Sequence, residues 1–138
     1  MCVGVIYQYE SRVIKTYFTN PKSSLPVLMK NGSIQLLPWG RRQKQSGALP
    51  LGGWARIESI ETGFWDKYFP IPVKLMVNEF FSEETATGNI KCRTITEGSF
   101  MQGLVATDRQ EIRVYVVTIT PTEDQIHDRW PKILTNNI

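Results

Sequence analysis

Cys2, directly after Met1, is the residue of this chain with the most distinctive chemistry. A methionine ahead of a small residue is commonly removed, and the chain would then begin at Cys2. An α-amine and a thiol would share one residue. The amine titrates near ~8 and the thiol near ~8.5, so both hold a reactive fraction at neutral pH. Such a 1,2-aminothiol attacks an aldehyde through nitrogen, and its thiol then closes a stable five-membered ring. The competing reading is a buried cysteine that opens a first strand, since free cysteine is among the most buried residue types.

Three other clusters carry reactive groups. The single histidine, His127, stands in Ile126-His127-Asp128-Arg129-Trp130-Pro131 and is suited to proton transfer near neutral pH; the plain alternative is a structural or solvated imidazole. In Trp54-Ala55-Arg56-Ile57-Glu58-Ser59, a strand would put Arg56 and Glu58 on one face. They would pair with each other, or Arg56 would bind phosphate while Glu58 orients a neighbour. Glu79 and Glu83 could supply a carboxylate near the end of a strand. Cys92 lies far from Cys2, and one histidine with two separated cysteines gives no metal-ligand cluster. No metal or cofactor is expected.

Charge divides the chain. Up to Ile57 there are eight basic residues and one acid, a balance of +7, and the remainder carries eight basic and twelve acidic residues, a balance of −4. A basic half suits a polyanion such as nucleic acid, with Tyr17, Trp39 and Trp54 available to stack on unpaired bases. An ordinary solvated basic surface is the alternative. No apolar run approaches the ~20 residues that span a bilayer. The start of the chain lacks the pattern of a signal peptide, so a reduced, cytoplasmic, membrane-free protein is expected.

Short strands must position these groups. Apolar, β-branched and aromatic runs predict strands over Val3 to Tyr9 and Val13 to Phe18, with a turn at Glu10-Ser11. Asn20 to Pro26 reads as a loop. Val27 to Lys30 and Ser33 to Leu37 read as a hairpin around Asn31-Gly32. Arg41 to Gly53 reads as an exposed loop. Glu58 to Phe69 has helical spacing at Ile60, Phe64, Trp65 and Tyr68. Further strands are predicted over Val73 to Phe81, Ile90 to Thr96, Phe100 to Thr107 and Ile112 to Ile119, then a short helix opened by Pro121. With 138 residues and no linker or repeat, the expectation is one α+β domain over 1–138. It would be β-rich, a curved sheet or partial barrel with a few short helices.

The order of the clusters is more specific than any one of them. Cys2 after Met1, then Tyr17 and Pro21, Trp39-Gly40, Ala-Arg-x-Glu at Ala55 to Glu58, and Ile-His-Asp-Arg-x-Pro at Ile126 to Pro131 resemble the SRAP family, the SOS response-associated peptidase or abasic-site processing proteins. The resemblance runs over nearly the whole of a chain shorter than typical members. It implies an SRAP-like fold and a monomer that binds single-stranded DNA containing an abasic site. It also implies self-removal of leading residues, and a thiazolidine crosslink between the N-terminal cysteine and the ring-opened sugar. By position, Cys2 would be the nucleophile and His127 would assist ring opening. Glu83 and Glu58 would serve as carboxylates of the site. Arg56 would contact phosphate, and Trp39, Gly40, Arg41, Arg42, Trp54 and Arg129 would line the DNA groove. Trp54 stands where the family has Asn. Ser82 falls at the place of the family's glutamate in the ungapped placement, and Glu83 matches with a one-residue shift. A relative that only binds single strands, and a cysteine peptidase acting on other proteins, are the competing functions.

Overall fold

The computed structural model describes residues 1–84, 86–120 and 129–135. Two sheets dominate them. β1 (Cys2–Tyr9) and β2 (Arg12–Tyr17) form a hairpin whose turn residues, Glu10 and Ser11, both take positive φ, 50° and 65°. That geometry matches the twist of the flanking strands. β7 (Glu79–Glu83) and β8 (Ile90–Thr94) complete the first sheet in the order β2-β1-β7-β8, antiparallel throughout.

The second sheet draws on the rest of the chain. It contains β3 (Ser24–Leu28), β4 (Ile34–Pro38), β6 (Ile71–Leu75), β9 (Ser99–Asp108), β10 (Glu111–Ile119) and β11 (Trp130–Pro131), in the order β11-β10-β9-β6-β3-β4. β12 (Ile133–Thr135) pairs with β9, and β5 (Trp54–Arg56) runs parallel to β10. Just past β4, Trp39 bridges Val114 of β10, and the Gly40 N–H donates to the Val114 carbonyl at 2.8 Å. The chain leaving the far strand of this sheet thus returns to β10.

Two apolar layers follow from strand alternation. Val114 and Val116 of β10 join Cys2, Val5, Tyr7, Trp39 and Phe80 in the core between the sheets. Tyr115 and Val117 face the opposite way, with Leu104 and Ala106 of β9, onto Leu49, Ala55 and Trp65. Covered on both faces, β10 reads as an unbroken apolar run rather than an alternating one.

Several elements differ from the sequence expectation. The run Val73 to Phe81 is two strands in different sheets. The Met76 N–H donates to Pro26 in the second sheet at 2.9 Å, and the Asn78 N–H donates to Ile6 in the first at 2.9 Å. β3 begins inside the expected 20–26 loop and holds Pro26, and the β3–β4 connection spans 29–33 rather than two residues. The helix expected over Glu58 to Phe69 is α1 (Ile57–Glu61), stopped at Gly63 with φ +90°, followed by a 3-10 turn over Asp66–Tyr68. Trp65 there packs on Tyr115, with ring centroids 4.8 Å apart. The 41–53 loop is anchored, because Leu49 is wholly buried. The helix expected from Pro121 lies outside the described residues.

Candidate functional site

Three distant segments meet at the start of β1. Cys2 is opposite Ser82 of β7, with a register shift between Cys2 and Gly4. The half-buried Trp54, on β5, donates its indole N–H to the Cys2 carbonyl at 2.8 Å. Phe18 holds that ring from one side, with centroids 4.8 Å apart, and Trp39 packs edge-on at 6.3 Å. Trp54 thus places a donor on the Cys2 backbone and offers no acceptor.

The Cys2 side chain is sealed from solvent. Its sulfur lies 3.7 Å from the Gly4 carbonyl, a weak S–H donor contact. Burial pushes the thiol up to about 12, against smaller lowering by that backbone contact and by the N-terminal charge. The Met1 ammonium donates to the Glu83 carbonyl at 2.9 Å, and the Glu83 N–H returns a bond to the Met1 carbonyl at 2.9 Å. Glu83 thus grips the first residue through its backbone. Alternation places the Glu83 side chain on the outer face with Phe81, whereas Ser82 shares the inner face with Cys2. In this form the thiol is a neutral core group and the α-amine belongs to Met1.

Glu58 and Arg129 form a second cluster. The expectation that Arg56 and Glu58 share a strand face is corrected, because β5 ends at Arg56 and Glu58 sits in α1. Glu58 instead takes a two-pronged ion pair from Arg129, at 2.6 and 2.9 Å, and a hydrogen bond from Thr120 at 3.0 Å. Arg129 also donates to the Thr118 carbonyl at 2.8 Å. The Arg129 hydrogen bonds, chiefly, hold the Glu58 carboxyl down at about 2. Arg129 is thus spent on protein groups, while Arg56 is exposed on the strand beside it.

Positions 39–42, expected to line a groove, are engaged with other parts of the protein. Trp39 is wholly buried and donates to the Gly53 carbonyl at 2.9 Å. Gly40 is buried at φ +57°, and a Cβ there would lie 2.1 Å from the Gly52 carbonyl oxygen. Arg41 donates to the carbonyls of Leu49 at 2.6 Å and Gln45 at 2.8 Å. Arg42 donates to Phe18 at 2.8 Å and Trp39 at 2.6 Å and stacks 4.0 Å over the Phe18 ring. Both guanidiniums hold the loop closed, since fixed carbonyl clusters suit a planar multi-donor fork.

His127 lies outside the described residues. Among the described residues, no group of three or more His, Cys, Asp or Glu is placed to hold a metal ion, and no helix is long and apolar enough to cross a membrane. Sequence reasoning missed Lys91 and Arg93 of β8, which face inward at the edge of the first sheet. Their only signal is a basic residue at alternate positions of a short strand. No family model matches this chain, and no curated protein matches it in sequence.

Proposed function

We propose that this protein processes abasic sites: it binds single-stranded DNA and, once Met1 is removed, captures the ring-opened sugar through Cys2. The convergence of Cys2, Trp54 and the Ser82-Glu83 pair on one point carries this reading, because these are the positions that the family resemblance assigns to one site. Loss of Met1 transfers the α-amine to Cys2 and removes both backbone bonds to Glu83. The amine adds to the sugar aldehyde and expels one water to give an imine. The thiol sulfur then bonds to the imine carbon, its proton goes to nitrogen, and the thiazolidine closes. No oxidant or metal is needed.

The test uses protein whose intact mass confirms loss of Met1, incubated with a single strand carrying one abasic site. A shifted species that survives denaturing electrophoresis, absent from Cys2→Ala and from Met1-retaining protein, supports the reading. Absence of any adduct from the processed protein overturns it.

A second reading has its own support. The sealed thiol and the indole in place of an amide favour a relative that binds single strands without crosslinking. It predicts salt-dependent binding to strands with and without an abasic site alike. An adduct from the processed protein rejects it.

A further inference from the structure

Among the described residues, two buried polar atoms lack any hydrogen-bond partner: Nε of Arg93 and Nε1 of Trp130. They belong to one cluster. The Arg93 guanidinium lies 4.5 Å over the Trp130 ring, and Phe80 packs edge-on against that ring with centroids 5.9 Å apart. Arg93 sits on β8 directly opposite Phe80, which faces the core between the sheets, so the arginine points inward too. Trp130 sits on β11, the edge strand of the other sheet. The stack therefore spans the opening between two sheet edges.

The chemistry of this cluster is one-sided. An arginine and an indole both donate and neither accepts. Buried donors are costly when unpaired, and native proteins pair nearly all of them. The remaining Arg93 donors form no hydrogen bond or ion pair among the described residues, and only Nε is a buried unpartnered atom of this half-buried side chain. Lys91 is exposed two residues along the same face, opposite Ser82, which is itself opposite Cys2. Alternate residues on a strand stand about 6.6 Å apart. A row of cations at that interval suits a chain of negative charges better than a single carboxylate.

We propose that Arg93, Trp130 and Lys91 form an oxyanion site for the backbone phosphate of a single-stranded nucleic acid. It lies at the edge of the first sheet, beside the row that holds Cys2. Arg93 supplies the charge and its outer donors, Trp130 carries the guanidinium on its ring and offers its indole N–H when the stack opens onto the phosphate, and Lys91 meets the next phosphate along. The site deepens the single-strand-binding reading and does not depend on the crosslink.

The probe is a short oligothymidylate with no abasic site, so that no aldehyde is present. Binding is measured over a range of salt, and indole N–H resonances are followed by NMR, with Trp130 identified by Trp130→Phe. The Trp130 resonance should move on addition of the oligonucleotide. Arg93→Gln should weaken binding about 3- to 10-fold at low salt and lower the log–log salt slope by about 0.7, the value of one phosphate contact on a single strand. Arg93→Lys should keep most of that slope, which also covers the case in which the glutamine variant fails to fold. A lower melting temperature with an unchanged salt slope would make the stack a structural clamp and overturn the site. So would a wild-type protein that binds while the Trp130 resonance stays fixed, or one that fails to bind at all. An abasic strand that gives no adduct, alongside a slope lost in Arg93→Gln, rejects the crosslinking reading and leaves this site standing.

Discussion

Replacing Arg42 with alanine separates a structural arginine from a phosphate contact. Its guanidinium satisfies the carbonyls of Phe18 and Trp39 and covers the Phe18 ring, which in turn packs against Trp54 over Cys2. Hydrogen bonds from a charged donor are each worth about 1.5–3 kcal/mol. The carbonyls are only partly buried, so water recovers part of that loss, and the stack adds about 0.5–1 kcal/mol. The net expectation is a loss of about 2–4 kcal/mol. That is a large share of the 5–15 kcal/mol that stabilises a typical domain. Urea unfolding followed by far-ultraviolet circular dichroism should report a lower midpoint at unchanged m. The melting temperature should fall by roughly 6–15 °C. Arg42→Lys should recover little, because one ammonium cannot reproduce the fork. The salt slope of oligothymidylate binding should stay at the wild-type value. Stability within about 0.5 kcal/mol of wild type, together with a reduced salt slope, would refute the argument and assign Arg42 to the proposed phosphate-binding surface.

Three further outcomes follow from the same geometry. With a thiol held at about 12, the Cys2 thiolate is about one part in ten thousand at pH 8, so one thiol, the exposed Cys92, should react promptly with a disulfide reagent in the native Met1-bearing protein and the second only on unfolding. Two prompt thiols would contradict the burial of Cys2. The Glu58 carboxyl is held near 2 when folded and returns to about 4.3 when unfolded, so its contribution is complete above ~4.3 and is lost as pH falls toward 2. The stability advantage of wild type over Glu58→Gln should therefore be flat above pH 5 and shrink below it, as read from urea midpoints at successive pH values. Gly40→Ala should destabilise the fold by about 3 kcal/mol, read from the urea midpoint, because a Cβ at φ +57° meets backbone rather than a yielding side chain.

The strands around Cys2 were legible because their cues are local. Alternating apolar residues mark β1 and β2, and Glu10-Ser11 marks the turn between them. The break between β6 and β7 was not legible, because Val73 to Phe81 is continuously apolar enough for one strand and only pairing partners reveal the change of sheet. The charged residues divide in the same way. Arg41, Arg42 and Arg129 look identical in sequence to Arg56 and Arg93. What separates them is whether backbone carbonyls or a carboxylate such as Glu58 converge on the guanidinium, and those partners come from as many as 71 residues away. Trp39 was expected to be an open stacking platform for the same reason. Its burial depends on the return of the chain after β4 onto β10.

The pairing of Cys2 with Ser82 fixes more than a contact. A strand presents alternate residues to opposite faces, so sliding β7 by one position would exchange its faces as a set. Ser82 would turn outward, and Glu83 would bring its carboxylate round to Cys2. The short joint over 76–78, tied at one end to Pro26 and at the other to Ile6, holds β7 in the setting with Ser82 inward. Whether a hydroxyl or an acid faces the cysteine is thus decided by the length of a connector rather than by which residues the strand contains. A single-residue insertion or deletion in that joint is the smallest change that would rewrite the chemistry of the site while leaving each of its side chains in the sequence.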